Sequence, residues 1–594
     1  MVDHARTRAA LVVGAGPSGL VAAKYLLAST NPRYEVTVLE SSDEIGGTFV
    51  NKVYDNTRLV SSKFITSFSD FRMEDDYPNH PSAAEYVAYL KRYCDRYSLW
   101  NSIKFGCQVI SLSGASSKST PKEDENADEK GYNVQYRRGA KGQAVNRHFD
   151  VVAVCSGLHN MPNRPSLPAI SKFSGQVIHS SQYKCPSMFN RKRVLILGSG
   201  ETAMDIALRS VQNPLCRSIA LNVRRGFLSI PHNLAKDRPL DVFITNLFEH
   251  AYEHPWVQYL RLRWILSTVV IRFFLFCSGS GDGFNQWACK TTPIRRGYHI
   301  INKSHGAMAH LNIPIKSETL WGRFWMNLYG EAGLRPIESF HRTSVSGVKD
   351  NGTTVQFDDG REYDADLIVL ATGYKQYFPF LDESIKEEYG HASDRTSNGE
   401  YTLDEDGLPS EHFIVSQARP RLAFIGFVRP NVGAIPPISE LQVMWWLCRL
   451  NGQIIKPLEL PSGVTRSYML LGAKYPYGVD FGNYMHRVAE DIGAAPALST
   501  LAGSEAPFRA LYTYCLGQSM IPLFRLQGPF ASKVCWQVVT DELWQVCMKR
   551  GWAENFGLVA VLWISLWMNL AACLLEIIWC LCVLRRPRLF SRYY

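Results

Sequence analysis

The chain contains one local design twice, in which an apolar strand runs into a glycine-rich turn, a helix and a second strand. Residues 10–13 and 194–197 are the apolar runs, and such runs are typical of parallel strands buried on both faces. The first turn reads Gly14-Ala15-Gly16-Pro17-Ser18-Gly19. The second turn reads Gly198-Ser199-Gly200-Glu201-Thr202-Ala203. The repetition predicts an α/β fold with two Rossmann-like dinucleotide-binding domains.

The glycines of the first turn each have a physical role in binding a dinucleotide. Gly14 allows the chain to turn tightly, Gly16 allows the backbone to approach a pyrophosphate, and Gly19 allows the helix to pack closely on the strand. The helix that starts around Pro17 and Ser18 directs its free N–H groups at the phosphates. We therefore predict that the first turn binds the pyrophosphate of a dinucleotide.

An acidic residue and a second glycine pair follow the first turn. Glu40 ends the second strand, 21 residues after the last glycine of the turn, where a carboxylate accepts hydrogen bonds from ribose hydroxyls. Ile45-Gly46-Gly47-Thr48 comes next, and a glycine pair at this place is more typical of FAD proteins than of NAD dehydrogenases. Taken alone the pair is also consistent with a hairpin turn. Together these features predict FAD as the first cofactor.

The second copy differs where its second strand ends. No carboxylate closes that strand, and Asn222 and Val223 lead instead into Arg224. An arginine at this position accommodates a 2′-phosphate, which a carboxylate would repel. Residues 198–203 and Arg224 therefore predict NADPH rather than NADH. The alternative interpretation is a solvated basic pair at a strand end.

Charge and hydropathy indicate anionic and lipid partners. The 594 residues carry a formal net charge of +10, which favours phosphates, lipid head groups or nucleic acid. Nucleic acid is disfavoured because the basic residues are dispersed or lie by phosphate and membrane motifs. Residues 556–584 are strongly polar only at Asn569 and Glu576 and precede four arginines, which predicts a C-terminal membrane helix. A buried core helix is the alternative.

Residues 173–183 read Phe-Ser-Gly-Gln-Val-Ile-His-Ser-Ser-Gln-Tyr, which matches the pattern Phe-x-Gly-x-x-x-His-x-x-x-Tyr/Phe at every fixed position. On this pattern the chain resembles the flavin-containing monooxygenases, and residues 524–529 together with the apolar C-terminal segment resemble their membrane-anchored branch. Residues 371–374 resemble a crossing between the two domains of that family, and residues 440–442 resemble its segment beside the flavin. The resemblance implies cofactor contacts at Thr372, Gly373, Tyr374 and Gln442.

The chain departs from the family pattern near the expected position of the flavin's reactive edge. The family commonly reads Tyr-x-x-x-x-Thr-Asn-x-Ser-Lys where residues 54–63 lie, and Val60 stands in place of the Asn. A valine side chain cannot donate a hydrogen bond. Ser61, or Asn56 after a local shift, is the substitute donor. We therefore take Val60, Ser61 and Asn56 as the candidate catalytic residues, and we predict no metal site.

The resemblance implies an FAD- and NADPH-dependent monooxygenase. In that family a C4a-hydroperoxyflavin forms with O₂ and transfers one oxygen atom, here to a small lipophilic substrate at nitrogen or sulfur. Two alternatives stay open: Baeyer–Villiger oxygenation of a ketone, and an NADPH oxidase or non-oxygenating flavoprotein, because a valine replaces the asparagine. Membrane lipid and a second copy of the chain are further candidate partners. The expected location is the endoplasmic reticulum membrane or another intracellular membrane, with the catalytic domains facing the cytosol.

The resemblance also divides the chain into interleaved parts. The predicted FAD-binding domain comprises residues 8–160 and 336–460, and the predicted NADPH-binding domain comprises residues 161–335 between them. An apolar insertion at about 236–290 is expected either as core helices or on a membrane surface. Residues 461–554 are predicted to be a helical or irregular region, followed by the anchor at 555–584.

Overall fold

The structure is a computed structural model, and it describes residues 7–115, 131–139, 141–224, 227–229, 232–234, 238–242, 301–302, 306–382, 385, 411–455 and 477–582. Most of the predicted apolar insertion lies outside these residues. Two parallel sheets form the centre of the described chain. The predicted α/β fold with two nucleotide units is confirmed.

The first nucleotide unit forms a parallel sheet. Among the described residues its strands, in spatial order, are Leu422–Phe424, Val151–Val154, Arg8–Val13, Tyr34–Leu39 and Ile103–Lys104. Val12 lies opposite Val38 on one side and opposite Ala153 on the other. All three side chains are fully buried, as the apolar runs predict. The strand Arg8–Val13 leads through the first turn into the helix Pro17–Ala28.

The second nucleotide unit forms a second parallel sheet of the same design. Its described strands, in spatial order, are Glu338–His341, Ser218–Val223, Arg193–Leu197, Leu367–Leu370 and Gln176–His179. The central strand leads through the second turn into the helix Glu201–Gln212. The two turns therefore occupy equivalent places, each at the carboxyl end of a central strand.

The second sheet extends further along the chain than the predicted domain boundary at residue 336. Strands Glu338–His341 and Leu367–Leu370 pair in parallel with strands of the second sheet. Among the described residues, the next strand to join the first sheet is Leu422–Phe424. Strand pairing decides which sheet a segment joins, and the resemblance that gives the predicted boundary carries no information on pairing.

Helices and smaller sheets surround the two central sheets. The other α-helices that the structure describes in full are Thr48–Asn51, Lys63–Thr66, Ala83–Arg96, Leu320–Leu328, Ile435–Leu450, Phe481–Asp491, Leu498–Ala502, Pro507–Leu516, Lys533–Val538 and Trp544–Met548. Two antiparallel sheets consist of Cys107–Gly114, Tyr132–Arg138 and Ala144–Phe149, and of Val345–Val348, Thr354–Phe357 and Glu362–Asp364. The helix Ile435–Leu450 is buried along almost its whole length and packs against Pro17–Ala28.

The helix Trp552–Cys582 covers most of the segment predicted as a membrane anchor. Several of its large apolar side chains are exposed, including those of Trp552, Phe556 and Trp567. Within the described part of the chain, no helix combines the length and apolarity needed to cross a membrane. The predicted membrane-spanning helix is therefore not found there.

Candidate active site

The first nucleotide turn, residues 14–19, leaves space for a group next to Gly16. Gly14 has φ +104°, and a Cβ there would lie 2.8 Å from the carbonyl oxygen of Cys155, so the position requires glycine. Among described residues, a Cβ on Gly16 would approach only Gly47, at 3.9 Å. The helix Pro17–Ala28 begins at this point with its free N–H groups. The space over Gly16 therefore suits a phosphate.

Glu40 is held against the first turn by backbone N–H groups. Its carboxylate is buried, with Oε2 accepting a hydrogen bond from Ala15 N at 2.7 Å and Oε1 accepting one from Ser42 N at 2.8 Å. Gly46 N donates to the carbonyl oxygen of Ala15 at 3.0 Å, and Thr48 begins the next short helix. The structure thus brings together the first turn, the predicted ribose carboxylate and the second glycine pair.

Ser18 and Gln442 connect the first turn to a buried helix. The hydroxyl oxygen of Ser18 lies 2.8 Å from that of Ser439. Gln442 is fully buried, and its Oε1 accepts a hydrogen bond from Gly426 N at 2.8 Å while its Nε2 donates to the Tyr484 hydroxyl at 2.7 Å. Gln442 therefore braces the segment at Gly426, and its predicted contact with a cofactor stays a prediction.

The second nucleotide turn, residues 198–203, repeats the steric pattern. Gly198 has φ +129°, and a Cβ there would lie 2.4 Å from the carbonyl oxygen of Ala371. A Cβ on Gly200 would have no described atom within 4 Å, so this position is open. Ser199 and Ala203 are buried, whereas Glu201 and Thr202 are partly exposed in the first helical turn.

The predicted 2′-phosphate residue lies at the end of the strand Ser218–Val223. Arg224 is exposed to solvent. The preceding Asn222 is buried, and its side-chain amide donates to the carbonyl oxygens of Phe340 and Thr343 at 3.0 and 2.9 Å. These hydrogen bonds hold the strand end and leave Arg224 accessible to an anion.

The crossing at residues 371–374 is tied to the segment that carries the family pattern. His179 is fully buried, its Nδ1 accepts from Ser181 N at 3.1 Å, and its Nε2 donates to the carbonyl oxygen of Gly373 at 3.0 Å. Burial lowers the pKa of His179, which favours this neutral form. The Thr372 hydroxyl donates to the carbonyl oxygen of Asn163 at 2.5 Å.

Tyr374 continues that crossing. Its ring contacts those of His159 and His179, with centroid separations of 5.1 and 5.2 Å. Lys52 Nζ lies 5.8 Å from the centroid of the same ring. The crossing therefore joins residues from both nucleotide units at one place.

The three candidate catalytic residues have different surroundings. Val60 is half-buried, and the neighbouring Ser61 hydroxyl lies 2.7 Å from the hydroxyl of Thr66. Asn56 is exposed at a turn with φ +58°, where its carbonyl oxygen accepts a hydrogen bond from Arg209 of the second-turn helix at 3.2 Å. Val60 and Ser61 thus share a segment, whereas Asn56 lies outside it against the second nucleotide unit.

Comparison with known proteins agrees with the presence of two nucleotide cradles, by which we mean the turns at residues 14–19 and 198–203 with the helices that follow them. The family model described as "FMO-like: Flavin-binding monooxygenase-like" matches residues 7–270 and 338–578. The chain belongs to the flavin-binding monooxygenase-like family. It is an NADPH-dependent flavin monooxygenase, and its cofactors are FAD and NADPH.

The relatives of this family member match along most of its length. It is 32% identical over 572 residues to monooxygenase ptmN of Penicillium ochrochloron, covering 90% of this chain and 88% of that protein. It is 29% identical over 542 residues to flavin-containing monooxygenase 1 of Oryctolagus cuniculus, covering 87% and 89%. Among solved structures, S-allyl-L-cysteine S-oxygenase from Allium sativum has the same fold, with a TM-score of 0.50, 16% identity and coverage of 91% and 99%.

The residues present fit both cofactors of the flavin-binding monooxygenase. The open space at Gly16, the helix N terminus and the oriented Glu40 suit the pyrophosphate and ribose of FAD. The open space at Gly200 and the accessible Arg224 suit NADPH. At both glycines, a methyl group added to the Cα atom would occupy the space that suits the phosphates of the cofactor.

Sequence reasoning missed two residues that lie near Val60. His80 and His232 face each other with ring centroids 5.0 Å apart, although 152 residues separate them in the chain. Neither belongs to a glycine motif or to the family pattern. The available signal was their residue type alone, which does not show that they are neighbours.

Proposed function

We propose that this flavin-binding monooxygenase transfers one oxygen atom of O₂ to a nitrogen or sulfur atom of a small lipophilic substrate. The observation that carries the proposal is the symmetry of the two turns. Gly14 packs against Cys155, where the chain leaves the first sheet after the strand Val151–Val154, and Gly198 packs against the crossing at Ala371. Two nucleotide cradles of the same design suit an electron donor and an oxygen-activating cofactor that work together.

Bound FAD supplies the activation of O₂ with two electrons from NADPH, so that one oxygen atom joins the substrate and the other leaves as water. The chain's own contribution is positioning. Glu40 orients the ribose of FAD, the helix N termini at Gly16 and Gly200 bind pyrophosphates, and Arg224 binds the 2′-phosphate of NADPH. The half-buried Val60 would restrict the access of water.

A second candidate function is an NADPH oxidase that releases hydrogen peroxide. Val60 has no hydrogen-bond donor, and the neighbouring Ser61 hydroxyl already lies 2.7 Å from the hydroxyl of Thr66. If oxygen transfer needs a hydrogen-bond donor at this position, the lack of one favours the oxidase. We rank oxygen transfer first because a donor from the substrate or from NADPH can serve the same purpose.

The experiment that decides between the two measures NADPH consumed, product formed and hydrogen peroxide released. The purified holoenzyme is incubated with an amine, a sulfide and a ketone in turn. Oxygenation of the amine or the sulfide in near-equal amount to NADPH supports the proposal, whereas stoichiometric peroxide with every compound supports the oxidase. Product from the ketone alone would indicate Baeyer–Villiger chemistry instead.

A matched pair of variants tests the role of the apolar residue. Val60→Asn places a donor where Val60 lies, and Val145→Asn makes the same change on an exposed strand. If the lack of a donor causes peroxide release, V60N raises the ratio of product to peroxide and V145N leaves it unchanged. An equal ratio in both variants would show that the side chain at position 60 does not control the outcome.

We also propose that the helix Trp552–Cys582 attaches the protein to an intracellular membrane, at the endoplasmic reticulum, with the catalytic domains facing the cytosol. The exposed apolar side chains of Trp552, Phe556 and Trp567 and the arginine-rich residues 585–592 support surface attachment. Flotation with vesicles that contain anionic lipid tests it. The intact chain should float and a chain ending at Asn555 should not, whereas equal flotation of both would contradict the proposal.

A further inference from the structure

Two of the candidate catalytic residues, Val60 and Ser61, come shortly before a helix of only four residues, Lys63–Thr66. A helix this short is not stable by itself, and the carbonyl oxygens of its last turn have no partner within the helix. The Ser61 hydroxyl lies 2.7 Å from the hydroxyl of Thr66, the last residue of the helix. The position of Ser61 therefore depends on the groups that hold this helix in place.

Arg72 holds the short helix at its carboxyl end. Its Nη2 donates a hydrogen bond to the carbonyl oxygen of Phe64 at 2.6 Å. Its Nη1 donates to the carbonyl oxygens of Ser67 and Phe68 at 3.2 and 3.3 Å. A cation at this end of a helix also suits the partial negative charge of the free carbonyl groups. Arg72 thus supplies the partners that the helix cannot provide for itself.

The orientation of Arg72 is fixed by Glu542, which lies 470 residues away in the chain. Oε1 of Glu542 accepts a hydrogen bond from Nη2 at 2.8 Å, and Oε2 accepts one from Nε at 3.0 Å. The Arg72 and Glu542 side chains are 11% and 26% exposed. The carboxylate and the three carbonyl oxygens together occupy all five N–H donors of the guanidinium, which leaves it one orientation.

Glu542 lies on a π-helical turn, Val539–Leu543, between two α-helices of the C-terminal region. Turns of this kind are rare and are frequently found at functional sites. The neighbouring Asp541 lies on the same turn and pairs with Arg509 at 3.3 Å, but these two side chains are 62% and 51% exposed. The turn therefore directs one acid towards the short helix and the next acid towards the solvent.

We propose that Glu542 is a positioning residue for oxygen transfer, which acts through Arg72 to hold the short helix and, with it, Val60 and Ser61. The inference rests on the proposed function, because it assigns Val60 and Ser61 to the oxygen-transferring site. If these residues are displaced, water gains access to the site, and the two electrons of NADPH reduce O₂ to hydrogen peroxide without forming product. Glu542 thereby controls how much of the consumed NADPH yields product.

Glu542→Gln tests this role, because it keeps the size of the side chain but removes its charge and one of its two acceptors. The holoenzyme is supplied with NADPH and methyl phenyl sulfide. We expect the ratio of sulfoxide to peroxide to fall about tenfold, less than the loss of about 100-fold that a misplacement of about 1 Å can cause. Glu542→Asp keeps the carboxylate and should recover part of the ratio.

The matched control is Asp541→Asn, which makes the same chemical change on the adjacent exposed acid and should keep the wild-type ratio. Arg72→Lys keeps a cation but cannot form the same five hydrogen bonds, and should lower the ratio as E542Q does. All variants are compared at equal flavin content. The proposal is overturned if E542Q keeps the wild-type ratio, or if D541N lowers it equally.

Hydrogen exchange of the backbone amides of residues 62–68 provides a measurement that does not depend on turnover. These amides should exchange faster in E542Q and at the wild-type rate in D541N. Equal exchange in E542Q and the wild type would show that Glu542 does not hold the short helix, and would also overturn the proposal. Peroxide alone from the wild type would instead refute the proposed function, and the exchange rates would then decide whether Glu542 holds this helix.

Discussion

The two nucleotide turns have the same backbone design but are held in place differently. The ribose carboxylate after the first turn, Glu40, is buried and oriented by Ala15 N and Ser42 N. At the equivalent place after the second turn, Arg224 is exposed to solvent. The charge of the first cradle is thus oriented by the protein's own backbone, whereas the second cradle presents its charge to the solvent.

The helices that follow the turns show the same contrast. Lys24 of the first-turn helix pairs with Asp70 at 2.7 Å, Asp70 also pairs with Arg525 at 2.7 Å, and all three side chains are at most 15% exposed. On the second-turn helix, Asp205 and Arg209 are 3.4 Å apart and each is 23% exposed. We infer that the first cradle suits a cofactor that stays bound, and the second suits one that enters and leaves in every turnover.

The largest expected effect comes from breaking the buried charges behind the first turn. Asp70→Asn leaves Lys24 and Arg525 without their shared carboxylate and should lower the free energy of unfolding by about 3–5 kcal/mol at pH 7. Asp205→Asn, on the second-turn helix, breaks a more exposed ion pair and weakens the hydrogen bond from the Tyr54 hydroxyl, and should cost about 1 kcal/mol. Thermal unfolding of both variants measures how much stability each one loses. Equal losses in D70N and D205N would contradict the claim that the two helices are held differently.

The same cluster predicts a dependence on pH. Burial alone would raise the pKa of the Asp70 carboxyl, but Lys24 and Arg525 outweigh burial and lower this pKa to about 2. A carboxylate with a lowered folded-state pKa contributes stability above its unfolded-state pKa of about 3.9, and loses it as the pH falls towards 2. The stability difference between the wild type and D70N should therefore persist at pH 5 and shrink below pH 4.

The next effect separates the two cofactors. Gly16→Ala and Gly200→Ala both add a methyl group that the described protein can accommodate, so both variants should fold. In G16A the methyl group would meet the pyrophosphate of FAD and weaken FAD binding by about 10- to 100-fold. In G200A it would raise the KM for NADPH by a similar factor and leave the flavin content unchanged. Flavin absorbance and the KM for NADPH distinguish the two variants, and loss of FAD in G200A would contradict the assignment.

Most of the two nucleotide cradles could be predicted because their signals are local. The turns, their helices and the position of Glu40 each depend on a few consecutive residues. The spacing of these residues is typical of a strand, a phosphate-binding turn and a helix in that order. Strands Tyr34–Leu39 and Ser218–Val223 lie where the apolar patterns predict strands. The same local logic predicts the difference between Glu40 and Arg224.

The parts that could not be predicted depend on distant residues. The pairing of strand Leu367–Leu370 with the second sheet, the buried charges around Asp70 and the facing rings of His80 and His232 all join residues far apart in the chain. Residue type and periodicity do not show which of many charged or aromatic side chains will meet. The structure supplies this information because packing selects one set of neighbours.

A smaller effect tests the exposed cation of the second cradle. Arg224→Gln removes the charge that we assign to the 2′-phosphate of NADPH, and one charge-assisted contact corresponds to about 1.5–3 kcal/mol. The ratio of kcat/KM for NADPH to that for NADH should therefore fall about tenfold or more. Arg217→Gln removes an arginine at the opposite end of the same strand and should keep the wild-type ratio. An unchanged ratio in R224Q would show that another group reads the 2′-phosphate.

The smallest expected effect concerns His179, which joins the second unit to the crossing that returns to the first. His179→Gln replaces the rigid ring that donates to the Gly373 carbonyl with a flexible amide, which loses the ring's packing and weakens this hydrogen bond, and should cost about 1 kcal/mol at pH 7. Burial lowers the pKa of His179 below its ordinary value of about 6.5, so the unfolded chain takes up a proton first as the pH falls. The stabilising contribution of His179 is therefore complete above pH 7 and decreases below pH 6.5, and the difference in Tm between the wild type and H179Q should shrink from pH 7.5 to pH 5.5. A difference that grows over that range would mean that the folded protein holds His179 protonated. The assignment of a neutral His179 that donates to the Gly373 carbonyl would then be wrong.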